Sequence, residues 1–280
     1  MPVGRFRLPG GSRDGLTRRR GNVLERLLHH QEEPVLVRSW IAAGSVRFQA
    51  EAPSRQACEY GIDRMRFALA LDLDLAPFMR RFRRDPLVGP AIRQRQWYRP
   101  WRQPEPFESL AWAITEQLIE AGAAFEIQKR MIRRFGRRSE CGRRSNSPTA
   151  AAIARRSPPE IQSCGLAERR AIALLCAARE VADGRIDLHS EEPEKDWARL
   201  RSIPNVGSWT IEKLAWHGQG RADMLPAGDL AYVKIVGVLA GLGRRATEDE
   251  VREYFAPYAP YQAIAGMYAL RGAAPAAGRW

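Results

Sequence analysis

From Leu75 onward, apolar positions recur at helical spacing, with proline and glycine marking the interruptions. Leu75-Ala76-Pro77-Phe78-Met79 opens one helix, and the apolar-faced run Phe107 to Ile119 predicts another after the proline-rich stretch Pro100 to Pro106. Arg137 to Pro148 reads as a basic linker. Pro158 to Leu166 and Glu168 to Ala182 are two further helices broken at Gly165, and Trp197 begins the one that leads to Ile203. Beyond them, Leu230 to Leu239, Glu248 to Phe255 and Gln262 to Leu270 keep the period. Earlier in the chain the pattern is alternation: Val35 to Trp40 and Ser45 to Ala50 flank Ala43-Gly44 as a β-hairpin. Residues 1–33, with Arg18-Arg19-Arg20 and a start lacking apolar periodicity, read as a basic flexible tail. The last residues, Gly272 to Trp280, read as frayed. These elements predict a mostly α protein: a small α+β module over 34–74 and a helical region over 75–280.

Two connections in the helical region carry candidate chemistry. Ile203 to Ser208 is a tight link in which Pro204 stops the incoming helix, while Asn205 and Gly207 tolerate a left-handed backbone. Backbone amides exposed there, next to the start of a helix near Trp209, favour an anion such as a phosphate. Downstream, Asp229 follows Pro226-Ala227-Gly228 and precedes an apolar helical segment. An aspartate so placed is either a helix N-cap, a reactive carboxylate, or both, since a cap fixes the direction of the carboxylate.

Charge sharpens this picture. The 280 residues carry a formal charge of +13 with 45% hydrophobic residues, so the chain can build a core, and the excess positive charge favours a polyanionic partner, of which nucleic acid is the commonest, or else requires a tolerance for self-repulsion. Lys129, Lys195, Lys213 and Lys234 are lysines; every other basic side chain apart from the histidines is arginine. Cys58, Cys141, Cys164 and Cys176 have no zinc-type pairing and read as reduced thiols. His29, His30, His189 and His217 show no ligand or triad spacing and read as surface or satisfied histidines. No apolar run approaches the length of a membrane span and the start lacks a signal peptide, so the expected location is cytoplasmic, beside the nucleoid.

Leu200-Arg201-Ser202-Ile203-Pro204-Asn205-Val206-Gly207-Ser208-Trp209-Thr210, followed by Pro226 to Asp229, resembles the helix-hairpin-helix DNA glycosylase superfamily. The superfamily's hairpin reads Leu-Pro-Gly-Val-Gly, and an essential aspartate follows it after a proline. Val206 to Thr210, Pro226 to Asp229 and Ala113-Ile114-Thr115-Glu116-Gln117-Leu118-Ile119 are most similar to the bacterial 3-methyladenine DNA glycosylase II family, over about residues 65 to 270. The resemblance implies a two-lobed helical fold with a cleft, one lobe near 107–221 and the other from 75–104 plus 222–270. It also implies damaged double-stranded DNA as partner and a monomer; beside the family's mixed α/β N-terminal domain, the module over 34–74 reads as shorter and truncated.

The resemblance further implies roles for single residues. Asp229 would be the catalytic carboxylate, opposing positive charge on the deoxyribose and aligning water. Trp209 stands where bifunctional relatives keep a Schiff-base lysine, which implies a monofunctional enzyme. Its ring would stack on a cationic alkylated purine; as a bare residue it could equally close the hairpin. Gln117 and Leu118 match the segment that wedges DNA, although a leucine there could also be core. Asn205 and Gly207 would hold phosphate, and the carbonyls of Arg201, Ile203 and Val206 would hold a monovalent cation. No organic cofactor is implied, and an iron–sulfur cluster is excluded because no cysteine follows Cys176.

Four positions depart from the family pattern. Glu116 and Glu120 are charged beside the wedge, Lys213 replaces an aromatic residue of the base pocket, and Leu270 replaces another. Lys213 also raises the alternative of an amine nucleophile one turn away from the usual place. The departures keep open a rival reading, a helix-hairpin-helix DNA-binding protein without catalysis.

Overall fold

The computed structural model describes residues 6–139 and 142–272. An antiparallel sheet of four strands in sequential order leads the chain: β1 (Thr17–Arg20), β2 (Val23–His30), β3 (Glu33–Ala42) and β4 (Ser45–Glu51). The β3–β4 hairpin is the one its alternation predicts, closed by Ala43 and Gly44 at φ 49° and 67°, the positive values a tight hairpin turn requires. Within 17–30, the preceding strands overturn the reading of 1–33 as a flexible tail, residues 1–5 of which lie outside the described residues. β2 is a central strand with Leu24, Leu27 and Leu28 buried, and β1 pairs with it from Thr17 to Arg20. Short charged strands at a sheet edge carry little apolar periodicity, because only one face and one neighbour constrain them.

Helix α1 (Arg55–Ala68), capped by Ser54 Oγ accepting the Ala57 N–H at 3.1 Å, lies on the sheet. Gly61 allows that approach: a Cβ there would lie 2.5 Å from Val35 Cγ1. Val35, Val37, Ala57, Met65 and Leu69 make the core between them.

Two further cores divide the helices. The first gathers α4 (Pro106–Glu116), α5 (Ala121–Phe135), α6 (Ala150–Ala154), α7 (Pro158–Gln162), α8 (Glu168–Ala182), α9 (Glu194–Arg201) and α10 (Ser208–Gly218) around Leu110, Met131, Leu174, Leu200 and Ile211. The second joins α2 (Ala76–Phe82) and α3 (Gly89–Gln94) to α11 (Leu230–Leu239), α12 (Glu248–Phe255) and α13 (Gln262–Gly272) around Phe78, Ile235, Phe255 and Tyr268. Several boundaries follow from their caps: Thr247 and Glu250 form a reciprocal capping box at α12, and Asp229 caps α11. The helix expected over Phe107 to Ile119 ends at Glu116, because Gln117 leaves helical geometry and Leu118 turns to φ +54°.

The sheet is tied to the first helical core by buried groups. Leu16 belongs to that core, Asp14 Oδ2 accepts the Trp112 Nε1–H at 3.2 Å, and Arg26 of β2 pairs with Glu108 of α4 with both side chains almost fully buried. Cys58, Cys164 and Cys176 are free thiols, while Cys141 lies outside the described residues, as do residues 273–280 of the terminus expected to fray. Among the described residues no helix is long and apolar enough to cross a membrane.

Candidate active site and nucleic-acid interface

The hairpin between α9 and α10 is a turn with Pro204 second and Asn205 third, closed by the Val206 N–H donating to Ile203 O at 3.0 Å. Asn205 sits at φ +67°, as the third position of a type II turn demands. Gly207 does not: at φ −98° and ψ −175° it is extended, and a Cβ there would meet nothing within 4 Å. The expectation of a left-handed Gly207 is therefore corrected, and what its missing side chain provides is open space over the backbone. The first helical bond of α10 is Ile211 N–H to Gly207 O at 3.2 Å, so the earlier amides of the turn precede the ladder, next to exposed Asn205 and Gly207. The carbonyl of Ile203 accepts the Val206 N–H, while those of Arg201 and Val206 accept no backbone hydrogen bond among the described residues.

Gln117 connects this hairpin to the end of α4. Its Nε2 donates to Asn205 O at 2.8 Å and to Thr210 Oγ1 at 2.9 Å, and Arg170 Nη1 donates to the carbonyls of Thr115 and Gln117 at 2.9 and 3.2 Å. Held on both sides, the chain turns at Leu118, whose side chain is fully exposed. A leucine there is no part of the core. Glu120, two residues on, is exposed and sits at the N-cap of α5.

A cavity of 460 Å³ opens between the two helical cores. Trp112, Ala113 and Glu116 of α4 and Lys213, Trp216 and His217 of α10 line it on one side; Pro226, Asp229 and Tyr232 with Met267 and Leu270 of α13 line it on the other. Gly218 lets α4 and α10 approach, since a Cβ there would lie 2.7 Å from Ser109 Cβ. That proximity places Glu116 Oε2 at 3.1 Å from Lys213 Nζ. Glu116 thus faces the cavity as a counterion, not the exterior beside Leu118. Two sequence departures, Glu116 and Lys213, are a single ion pair.

Asp229 is partly buried, with Oδ1 accepting the Ala231 N–H at 3.0 Å. Among the described residues its side chain has no other hydrogen bond, so Oδ2 remains available toward the cavity it lines. Burial works against the Lys213 ammonium, but the Glu116 charge, the Asp229 charge and the hydrogen bond to Glu116 outweigh it and hold the pKa above the ordinary lysine value. Trp209 does not line the cavity. Its ring lies under Lys213, with Nζ 5.5 Å from the centroid, and its Nε1 is buried without a partner. His217, read from sequence as an ordinary histidine, does line the cavity. Burial, with the nearby Lys213 charge, depresses it to about 3. Its Nδ1 lies 3.3 Å from Trp101 O; since a carbonyl only accepts, Nδ1 carries the proton and Nε2 is an acceptor. Trp112, Gln103 and Tyr98 are further lining residues that spacing alone did not flag; none lies in a motif.

A second cavity, of 720 Å³, is lined by Val206, Gly207, Ser208, Glu212 and Arg252 among others. Glu212 is buried and accepts the Ala227 N–H at 3.1 Å while pairing with Arg252, which ties α10 to the segment just before Asp229. No group of His, Cys, Asp or Glu among the described residues is arranged to hold a metal ion.

A hairpin presenting amides thus lies beside a cleft between two helical cores, with Asp229 and Glu116 in its wall. The chain belongs to the HhH-GPD superfamily of base excision DNA repair proteins, whose family model matches residues 111–260. It is similar to the DNA-3-methyladenine glycosylase of Bacillus subtilis, 25% identical over 209 residues that cover 72% of this chain and 68% of that protein. It is also similar to DNA-3-methyladenine glycosylase 1 of Schizosaccharomyces pombe, 28% identical over 61% of this chain and 75% of that one. Among solved structures, the 3-methyladenine DNA-glycosylase of Archaeoglobus fulgidus superposes with a TM-score of 0.79 at 20% identity, covering 94% of this chain and 91% of that chain, a likeness of fold.

Proposed function

We propose that this protein is a monofunctional DNA glycosylase that extrudes alkylated purines such as 3-methyladenine from duplex DNA and hydrolyses their N-glycosidic bond. The observation that carries the reading is Asp229, anchored by its cap bond through Oδ1 and lining a cavity of 460 Å³ beside the hairpin. The hairpin amides and the arginine-rich surface would hold phosphates, with Leu118 filling the gap in the stack left by the extruded nucleotide. Positive charge that builds on the sugar as the bond breaks would be opposed by Oδ2, which would also take the proton of the attacking water. The carbonyls of Arg201, Ile203 and Val206 would hold a monovalent cation, which would supply positive charge for docking DNA and no step of the chemistry; the first and last accept no backbone hydrogen bond among the described residues.

Monofunctional action is supported at Lys213. Its ammonium is engaged by Glu116 and held protonated, which leaves no free amine to attack the sugar. Action as a monomer in the cytoplasm, on DNA of the nucleoid, belongs to the same proposal. The test is base release from DNA carrying 3-methyladenine or 7-methylguanine, with borohydride present. Free base, an intact abasic strand and no trapped protein–DNA adduct are expected. DNA binding without base release would establish the non-catalytic rival, and an adduct lost in Lys213→Ala would end the monofunctional reading.

A further inference from the structure

Glu116 is fixed in the cavity wall through both of its oxygens. Oε2 lies 3.1 Å from Lys213 Nζ, and Oε1 accepts the Gln128 Nε2–H at 3.3 Å. Gln128 of α5 is almost fully buried and donates also to Thr115 Oγ1 at 3.2 Å, so the carboxylate at the end of α4 has a rigid support. Lys213 is different: its ammonium rides on a flexible four-carbon stem and goes where its partners hold it. Those partners are Glu116 and the ring of Trp209, whose centroid is 5.5 Å from Nζ.

Asp229 lines the same cavity, and its charge reaches the same ammonium. Burial works against protonation of Lys213, and the Glu116 charge, then the Asp229 charge, offset it. Yet among the described residues no ion pair joins Lys213 to Asp229. Lys213 is the cation that matters inside this wall. Burial depresses His217 to about 3 and so keeps it neutral, while Arg271 is exposed and lies over the Tyr98 ring, with Nε donating to Tyr98 Oη at 3.1 Å. Two carboxylates and one ammonium leave the wall one net negative charge, set against the single positive charge that builds on the sugar as its bond to the base breaks.

Resting on the glycosylase reading above, we propose that Glu116 is a positioning residue: it holds the Lys213 ammonium against α4, so that Asp229 Oδ2 meets the sugar as an unpaired anion. Without that hold the ammonium turns to the other carboxylate of the wall, Asp229. There it cancels the charge that opposes the sugar cation and occupies the oxygen that takes the proton of the attacking water. The two departures from the family pattern therefore work only together. Lys213 alone neutralises Asp229, and Glu116 alone leaves a second carboxylate in the cleft without a counterion.

The test compares the affinity of the full chain for two duplexes, one with a cationic pyrrolidine and one with a neutral tetrahydrofuran in place of a single deoxyribose. The first mimics the sugar cation, and the second reports folding and grip on DNA. Wild type is expected to prefer the cationic duplex, and Glu116→Gln should shrink that preference at least tenfold, with single-turnover release of 7-methylguanine falling alongside. Added to Lys213→Met, the same Glu116→Gln should change the preference less than threefold, because no ammonium is left to capture Asp229. If Glu116→Gln does not fold, Glu116→Asp, which keeps the charge but withdraws it by one methylene, should show a partial loss that likewise vanishes in Lys213→Met. An equal loss with and without Lys213 overturns the inference, since Glu116 would then act directly or through the fold. No preference for the cationic duplex in a wild type that releases bases also overturns it and leaves the glycosylase reading standing. Release of no base from any damaged duplex overturns both.

Discussion

Asp229 has to do two things with one carboxylate, and its two oxygens divide the work. Oδ1 is committed to the Ala231 N–H, which orients the group, while Oδ2 has no protein partner among the described residues. Asp229→Asn keeps the size and the capping oxygen but removes the charge, so folding and DNA affinity should persist while base release falls on the order of 10² to 10³-fold. Single-turnover release beside a gel-shift measurement checks this, and near-wild-type turnover would falsify the catalytic assignment. Leu118 poses a different question, because it is fully exposed at φ +54° and stabilises nothing in the fold. Leu118→Ala should leave the melting temperature unchanged and slow release from fully paired DNA. The loss should be smaller from a mismatched site, where less stacking has to be replaced. An equal loss in both contexts would show that the side chain is not a wedge.

At the level of elements, the hairpin and the crossing of α4 with α10 make one unit through Gln117, which joins Leu118's turn to the Asn205 carbonyl. Asn205 and Gly207 then separate cleanly in their expected effects. Asn205→Ala forces a Cβ-bearing residue without a compensating side chain into the left-handed region, at about 1 kcal/mol, and should weaken DNA binding together with stability, whereas Asn205→Gly should preserve both. The Cβ that Gly207→Val adds meets no atom within 4 Å and Gly207 is at an extended φ that valine adopts, so the variant should fold normally, yet it fills the space through which a phosphate would approach the amides. Salt-dependent binding and thermal melts on the three variants test the separation; a Gly207→Val that binds normally would move the phosphate site elsewhere. The sequence made the hairpin and Asp229 legible because turn and cap chemistry is local, so residue types at fixed spacing report it. It could not show that Glu116 and Lys213 are partners, since that depends on how closely α4 and α10 pass at Gly218, whereas Lys213 over Trp209 is an i,i+4 contact within α10. His217 and Gln103 were invisible for the same reason. Their place in the cavity is a property of packing between distant segments.

Across the whole molecule, the N-terminal sheet is a support for the catalytic region, which periodicity alone concealed because β1 is short, basic and half solvated. Its firmest tie is Arg26 with Glu108, buried among α4, Asn146 and β2, where Arg26 Nη2 also donates to Asn146 Oδ1 at 3.2 Å. Burial raises Glu108 to about 7 even though Arg26 pulls the other way. Arg26→Met would remove that pull and strand a carboxylate in the interior, an event that typically costs about 3–5 kcal/mol. The pH dependence follows from the sign of the shift: a carboxyl whose folded pKa lies above its unfolded value of 4.5 binds more protons when folded, so its ionisation destabilises the fold as pH rises through the folded value. In Arg26→Met that value moves higher still, and the deficit relative to wild type should be largest at pH 8 and shrink at pH 5.5, where Glu108 can be neutral. Glu108→Gln added to Arg26→Met should recover much of the loss at pH 8 and remove this group's contribution to the pH dependence of the variant's own stability. Urea unfolding of the three proteins at both pH values decides it, and a deficit that is the same at pH 5.5 and pH 8 in the single variant would mean that the Arg26 side chain matters through its packing and not through its charge.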